Sequence, residues 1–410
     1  MAFRIFSQDD FESLLKLHQN KDLFSFISIS EKNNLNLNDW QKKYVQALSL
    51  NLKNKNNESN ELIKEILSDN SATTADSLKK MLYEVRLKNS VHLSDYSDAF
   101  YCSVFITDNF RSLLDSNELF DLENSQKIWK AAQLPDKQKA LITGDSKIPI
   151  SRDLAGLVNI SVSCGGEDED FIFDTGANFS VVNRSTAVKM KLKILEGTIE
   201  VGAITGKKIT SQLAVAEKLI IGDITFYNVV FLVMPDEALS FAGGLYTIKG
   251  VIGLPVIKAM KEVHIRKNEI FIPVKPASVN FSNLLIDGFV MVINIVNKGD
   301  SLAFTFDTGA KKTILYSSFY QKYKKDIDSK YELKEIELGG AGGTVKVKGF
   351  KIDDIAFNIG SSKLKLEDIS LVSENIKDHD KGYFGNLGQD YMGEFSEMIM
   401  NFEDMYVDFK

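Results

Sequence analysis

The sequence contains one short pattern twice, and this duplication constrains the fold more than any other feature. Each copy has a Phe, then Asp-Thr-Gly-Ala and, three positions after the Ala, a hydroxyl residue; the copies span residues 173–180 and 306–313. An apolar run typical of a β-strand precedes each Asp, and the Gly permits a tight turn after it. Such turns present carboxylates at strand ends, so the pattern predicts that Asp174 and Asp307 face each other.

The flanking segments match in their order as well. Each copy follows a predicted β-hairpin, and each is followed by an apolar pair, a short helical stretch and a glycine-containing hairpin. A short element ending in Gly then closes each half, at residues 251–253 and 386–388. The matching order predicts two related all-β lobes, over residues 141–278 and 279–410.

The preceding residues show a different periodicity. From about residue 9 to 134, apolar residues recur at helical spacing, as in Phe11, Leu14 and Leu15. Asn- and Ser-rich segments separate these runs and are typical of helix caps. The pattern predicts an all-α domain over residues 1–140, either a row of stacked helical hairpins or a compact bundle. The row resembles tetratricopeptide-type arrays, without the Trp, Gly and Pro positions of that repeat.

Composition and charge argue against several classes of function. A net charge of -7 provides no clustered basic surface for phosphates, so we expect no nucleic-acid partner. Cys102 and Cys164 are the only cysteines, and the four histidines are isolated from one another, which argues against a disulfide framework and a metal centre. The cysteines are instead expected to be small buried residues.

Neither a membrane span nor a signal peptide is visible in the sequence. No apolar run is long enough to cross a bilayer, and the first residues lack the apolar core of a secretion signal. As written, the sequence predicts a soluble cytoplasmic protein, or an exported one whose leader has been removed.

The duplicated set of motifs resembles the aspartic proteases, and the retropepsin-like members more closely than pepsin. The resemblance rests on Asp-Thr-Gly-Ala, the following Ser180 or Thr313, and the later Gly elements, and it covers about residues 150–410. It implies the two-lobed all-β acid-protease fold, here joined to a helical domain. Because retropepsins carry one lobe per chain and dimerise, two lobes in one chain imply an active site that a monomer can form.

The same resemblance implies an endopeptidase without cofactor or metal, acting on peptides or unfolded protein. Asp174 and Asp307 would share one proton, and one would act as general base while the other acts as general acid. The implied supporting residues are Thr175, Gly176, Thr308 and Gly309. The threonines would hydrogen-bond across the lobe interface, and the glycines would offer backbone N–H groups to the carboxylates.

The glycine-containing hairpins are candidates for flaps over the substrate. The flap candidates are Ala203, Ile204 and Thr205 in the first half and Ala341, Gly342 and Thr344 in the second. Lys311 and Lys312 stand where retroviral enzymes often carry acidic residues, whereas the first copy has Asn178 and Phe179 there. We therefore expect unequal subsites and an asymmetric preference for peptide side chains.

Other interpretations of the sequence remain open. An Asp before Gly is common in turns for structural reasons alone, although two copies in matched hairpins weigh against this. The chain is alternatively a catalytically silent peptide-binding module with the acid-protease fold, whose helical domain recruits a protein partner. In a third interpretation the helical domain covers the active site and makes the enzyme latent.

The residues after the two turns predict the pH dependence. Pepsin-like lobes usually place a hydroxyl residue after Asp-Thr-Gly, whereas this chain has Ala177 and Ala310. Loss of a hydrogen bond that favours the ionised carboxylate raises the pKa values of the pair. We expect a pH optimum less acidic than that of pepsin, and a pH–rate profile with its maximum at about pH 2 would contradict this expectation.

Overall fold

The computed structural model of the protein describes residues 10–69, 75–134, 136–202, 208–340, 343–374 and 382–410. The N-terminal part is helical and the remainder is rich in β-strands, in agreement with the helical and β regions that the sequence predicts. The N-terminal helices are α1 Asp10–Gln19, α2 Leu23–Ser30, α3 Asp39–Leu52, α4 Asn56–Ser68, α5 Asp76–His92, α6 Tyr96–Asn109 and α7 Ser116–Ala131.

Polar residues precede several helices, because their short side chains can accept hydrogen bonds from the backbone N–H groups of the first helical turn. Asn38 caps α3, because its side chain accepts a hydrogen bond from Gln41 N at 3.1 Å and the Gln41 side chain accepts one from Asn38 N at 3.0 Å. Asp115 caps α7 in the same reciprocal way. Successive helices pack against each other along the chain. None of the helices in the described parts of the chain has both the length and the apolar content that crossing a membrane requires.

The first β unit contains β1 Lys139–Leu141, β2 Ser146–Arg152, β3 Val158–Cys164, β4 Glu167–Phe173, β5 Ser180–Asn183, α8 Arg184–Lys189, β6 Lys193–Ile194, β7 Ile199–Gly202, β8 Lys208–Ile221, β9 Ile224–Met234, β10 Ser240–Phe241, β11 Tyr246–Thr247, β12 Gly250–Ile252, α9 Leu254–Ala259, β13 Glu262–Arg266 and β14 Glu269–Ile272. Strand β4 pairs in parallel with β12, β12 runs antiparallel to β5, and β5 is parallel to β9. Asp174 follows directly from the end of β4. Strand β1, which spans the predicted domain boundary, pairs with β9.

The second β unit contains β15 Leu284–Asp287, β16 Val290–Asn297, β17 Asp300–Phe306, β18 Ile314–Leu315, α10 Ser317–Asp328, β19 Lys334–Gly340, β20 Gly343–Ile359, β21 Ser362–Val372, β22 Gly385–Leu387, β23 Glu397–Asn401 and β24 Tyr406–Phe409. Here β17 is parallel to β22, β22 is antiparallel to β18, and β18 is parallel to β21. The pairing order is the same as in the first unit, with Asp307 directly after β17.

The two β units share a sheet and a core. Strand β13 of the first unit pairs antiparallel with β23 of the second, in the order β24-β23-β13-β14-β2. The His264 side chain bridges the units, with Nε2 at 2.8 Å from Glu262 Oε1 and Nδ1 at 3.0 Å from Glu397 Oε1. One apolar cluster includes Phe173 and Phe306, which end the strands before the two Asp residues. Burial of each Phe contributes about 1.5–3 kcal/mol. Both cysteines are free and buried.

The helices pack directly onto the β units. Apolar residues of α1 to α5 form a cluster with Leu285, Val292 and Ala303 of the second unit. At the edge of this cluster Lys21 forms an ion pair with Asp287, which also accepts a hydrogen bond from Tyr383 Oη at 2.6 Å. Burial opposes ionisation of Asp287, but the charges of Lys21 and Lys88 outweigh it and lower the pKa of Asp287 to about 2.

Two partly buried histidines lie at the same contact. Burial lowers the pKa of His18 to about 4 and that of His92 to about 3. His92 Nε2 lies 2.6 Å from the carbonyl oxygen of Gly288, and a neutral imidazole donates this hydrogen bond from Nε2. A His in the unfolded chain has a pKa of about 6.5. As the pH falls, the two imidazoles are therefore protonated in the unfolded chain before they are protonated in the folded protein. Acid below about pH 6.5 therefore weakens the packing of the helices on the second unit.

Replacing Asp287 by Asn tests how firmly the helices are attached. The substitution leaves the charge of Lys21 without its partner, so we expect the free energy of unfolding at pH 7 to fall by about 3 kcal/mol in urea denaturation. The pKa of Asp287 in the folded protein is below the unfolded value of about 3.9. The stability difference between wild type and variant is therefore fully present above about pH 4 and disappears as the pH falls through about 2.

The control for this substitution is Glu61→Gln, which removes an exposed ion pair with Lys64. An exposed pair of this kind contributes roughly 0–1 kcal/mol. If Asp287→Asn destabilises the protein no more than Glu61→Gln does, the buried ion pair does not hold the helices in place.

Candidate active site

Each Asp of the duplicated pattern closes its own turn. The backbone N–H of Asp174 donates to Ile252 O and that of Asp307 to Leu387 O, both at 3.0 Å, which extends the parallel pairing by one residue. Within the turns, Gly176 N donates to Asp174 Oδ1 at 2.7 Å and Gly309 N donates to Asp307 Oδ1 at 2.8 Å. An Asp that accepts from the amide two residues later stabilises a tight turn and fixes its own carboxylate.

The structure brings the two carboxylates into contact. The side chains of Asp174 and Asp307 lie within hydrogen-bonding reach of each other. Each turn also lies against the opposite carboxylate. A Cβ atom at position 176 would lie 2.5 Å from Asp307 Oδ1, and one at position 309 would collide with the carboxyl group of Asp174. Glycine is required at both positions because any side chain would push the two carboxylates apart.

Contact between two carboxyl groups changes their titration. Burial, the negative charge of Asp307 and the hydrogen bond that a protonated Asp174 donates to the Asp307 carboxylate raise the pKa of Asp174 well above its ordinary value, against the opposing effect of the Gly176 and Ala177 amides. Two such groups titrate as a coupled pair. Asp174 therefore keeps its proton at a pH where an isolated Asp has lost it.

Crossed hydrogen bonds between Thr175 and Thr308 lock the two turns together. Thr175 N donates to Thr308 Oγ1 and Thr308 N donates to Thr175 Oγ1, both at 3.0 Å. Each hydroxyl in turn donates to the other unit: Thr175 Oγ1 to Phe306 O at 3.2 Å, and Thr308 Oγ1 to Phe173 O at 3.0 Å. Both threonines are buried. The arrangement is symmetric, and every one of these four bonds crosses between the β units.

The hydroxyl residue that ends each copy ties its turn to the later Gly element. Ser180 Oγ accepts from Gly253 N, and Thr313 Oγ1 accepts from Gly388 N, both at 3.1 Å. The two copies differ in the further partners of this residue. The Thr313 hydroxyl donates to Asp390 Oδ1 at 2.6 Å, and the Thr313 backbone N–H donates to Asp390 Oδ2 at 2.9 Å.

Sequence reasoning missed one side chain beside the second turn. Gln389 donates through Nε2 to Thr308 O and accepts through Oε1 from Arg152 Nη1 at 2.9 Å. It thereby connects the second turn to the end of β2 in the first unit. In the sequence, Gln389 is distinguished by its position: it directly follows Gly388, whereas the first half has the apolar Leu254 at the equivalent position.

The predicted flap tips fall mostly outside the described residues. Ala203, Ile204 and Thr205 lie outside them, and so do Ala341 and Gly342. The sixth candidate, Thr344, lies in β20 and its backbone pairs with Gly339 of β19. The strands that flank both segments are antiparallel partners, as hairpins require: Gly202 pairs with Lys208, and Gly340 with Gly343.

The residues that follow the two turns have different surroundings. Lys311 and Lys312 are exposed, as is Asn178. Phe179 is partly buried and stacks on Trp129 of α7, with ring centroids 5.9 Å apart. The first turn therefore contacts the helical region, while the second presents two cations to solvent. Among the described residues, no three His, Cys, Asp or Glu side chains are grouped so that they could hold a metal ion.

Comparison with known families supports part of this site. The family model described as aspartyl protease matches residues 160–256, about a quarter of the chain. The match contains Asp174, Ser180 and the hairpin of β7 and β8, and it ends before the second unit. No curated protein matches the chain. The first β unit therefore resembles an aspartyl protease domain in sequence, and the match does not extend to Asp307.

Replacing Thr308 tests the link between the turns. Thr308→Val keeps the shape of the side chain but leaves Thr175 N and Phe173 O without partners in the buried interface. We expect the free energy of unfolding in urea to fall by about 2–6 kcal/mol, since each of the two buried unpaired groups costs about 1–3 kcal/mol. Thr308→Ser keeps the hydroxyl and should lose less than half as much. Equal losses in the two variants would show that the hydroxyl does not link the units.

Proposed function

We propose that the protein is an aspartic endopeptidase with a single-chain, two-lobed acid-protease fold. In this proposal residues 141–278 and 279–410 are the lobes and residues 1–140 are a helical domain. The observation that carries the proposal is the close approach of Asp174 and Asp307, which matched turns of the two β units hold against each other. The aspartyl protease match over residues 160–256 supports the same assignment for the first lobe.

The chemistry follows from the single proton that the pair retains. A peptide carbonyl is a weak electrophile and water is a weak nucleophile, so hydrolysis needs a base and an acid together. The ionised carboxyl removes a proton from water as its oxygen bonds to the carbonyl carbon, and the protonated carboxyl donates to the carbonyl oxygen. The resulting tetrahedral diol collapses when the carboxyl that now holds the proton donates it to the nitrogen, the other carboxylate removes a proton from a diol hydroxyl, and the C–N bond breaks. The pair then holds one proton again.

Positioning is the task of the surrounding residues. The crossed bonds of Thr175 and Thr308 and the amides of Gly176 and Gly309 hold the carboxylates before substrate arrives. This preorganisation matters because an error of about 1 Å in the placement of a catalytic group can reduce the rate on the order of 100-fold. Since both turns belong to one chain, the proposed active site is complete in a monomer.

The proposed substrate is a peptide or an unfolded segment of protein. Lys311 and Lys312 are expected to favour acidic side chains on the second-lobe side, because they are exposed cations near the second turn. The flap candidates Ala203, Ile204, Thr205, Ala341, Gly342 and Thr344 stay predictions of substrate contact. No cofactor takes part in the proposed mechanism.

Cleavage of a mixed peptide library tests the proposal. Wild type, Asp174→Asn and Asp307→Asn are compared between about pH 3 and about pH 8, with product ends identified by mass spectrometry. Each substitution abolishes the exchange of one proton between acid and base, so we expect kcat/KM to fall by at least about 100-fold. Asp170→Asn is the control, because Asp170 is exposed in β4, four residues before Asp174.

The outcomes separate the proposed function from its alternative. Wild-type activity in either Asn variant would contradict the shared role of the two carboxylates. A wild type that binds library peptides and cleaves none of them would instead support a catalytically silent peptide-binding module, with the helical domain as the site for a protein partner.

A further inference from the structure

Helix α7 contacts the backbone of the hairpin formed by β7 and β8. The Asn124 side chain donates through Nδ2 to Glu200 O at 2.6 Å and accepts through Oδ1 from Glu200 N at 3.2 Å. Both backbone polar groups of Glu200 in β7 are therefore bonded to a single side chain, which lies 76 residues earlier in the chain.

The geometry explains why an Asn is suited to this position. Among the described strands β7 pairs with β8 alone, so its other edge has no strand beside it. The N–H and C=O of one residue in an extended strand point to the same side. A primary amide offers one donor and one acceptor on the same plane. Asn124 thus takes the place of one residue of a neighbouring strand.

Apolar contacts reinforce this attachment. Ile199 of β7 and Leu213 of β8 are buried in a cluster with apolar residues of α5, α6 and α7. Trp129 belongs to the same cluster and lies between Tyr96, with ring centroids 6.0 Å apart, and Phe179, at 5.9 Å. Phe179 is in the loop that starts at Asp174. The base of the hairpin, the helix and the catalytic turn of the first unit therefore belong to one packed cluster.

The equivalent hairpin of the second unit has different neighbours. Ile336 and Leu338 of β19 pack with Val372 and Ile314, which belong to the same β unit. In the described parts of the chain, no hydrogen bond joins the helices to β19 or β20. The helical region thus holds one hairpin of the pair and leaves the other to its own unit.

We propose that Asn124 is a positioning residue for peptide binding, which fixes the first hairpin relative to Asp174 from outside the β units. The inference rests on the proposed function, in which this hairpin lies beside the bound peptide. A hairpin fixed in advance loses less conformational entropy when substrate binds, so the helical domain contributes to affinity through β7.

The test compares Asn124→Ala with Gln126→Ala in the full-length protein. Gln126 is two residues away on α7, and its amide bonds to Ser103 O and Thr107 Oγ1, both at 3.1 Å and both within the helical region. Gln126→Ala therefore removes a similar amide from the same helix without touching the hairpin. Two readouts are taken: hydrogen exchange of the Glu200 amide, and kcat and KM for a library peptide that the wild type cleaves.

We expect Asn124→Ala to speed exchange at Glu200 by roughly 5- to 10-fold and to raise KM by a similar factor, as expected for loss of two hydrogen bonds. The kcat value, its pH profile and exchange in β19 and β20 should match wild type, and Gln126→Ala should leave KM and Glu200 exchange unchanged. The inference is overturned if exchange at Glu200 does not respond, or if both variants change KM equally.

This experiment also distinguishes the inference from the proposed function. If wild type cleaves no peptide, the endopeptidase proposal fails and the kinetic comparison is replaced by binding of a peptide containing statine, an amino acid that mimics the tetrahedral diol. Weaker binding by Asn124→Ala, together with faster Glu200 exchange, would still support the positioning role. Equal binding by wild type and Asn124→Ala would reject it.

Discussion

The crossed hydrogen bonds of Thr175 and Thr308 are the interaction on which the rest of the site depends. Two carboxylates repel each other when both are ionised, and a hydrogen-bonded pair persists only when surrounding structure holds it together. Four bonds, each crossing between the β units, supply that restraint in the buried interface. The shared sheet of β13 and β23 supports the same interface from a second place. Burial and the proximity of Asp307 that this restraint enforces together raise the pKa of Asp174.

Symmetry at the two turns coexists with asymmetry around them. The two turns follow strands that pair in the same order. In both, a Gly amide donates to the carboxylate and a Thr forms the crossed hydrogen bonds. The helices, however, contact the first turn through Trp129 and Phe179, and they hold the first hairpin through Asn124. On the second unit they pack against β15, β16 and β17, next to the ion pair of Lys21 with Asp287. The helical region is therefore part of the framework of the proposed active site, and it acts on the two halves in different ways.

The sequence was sufficient to predict the parts of the site that depend on local chemistry. The repeated Asp-Thr-Gly pattern predicted that Asp174 and Asp307 face each other, as they do in the structure, and the helical and β regions were recognisable from periodicity. Gln389 and Asn124 were not predicted, because their roles depend on contacts between segments distant in the chain. A single polar residue on a helix looks like any solvated position until the strand it meets is known. The placement of the helices against β7 could not be derived from periodicity for the same reason.

The central claim is that Asp174 and Asp307 hold one proton between them within one chain, and carboxyl-labelled Asp makes this directly measurable. Carbon-13 NMR titration of the side-chain carboxyl groups, assigned with Asp174→Asn and Asp307→Asn, reports the protonation of each group without any substrate. We predict two coupled steps, the upper one well above the pKa of about 3.9 of an isolated Asp, and its disappearance in either variant. Two independent titrations near about pH 4 would contradict the account.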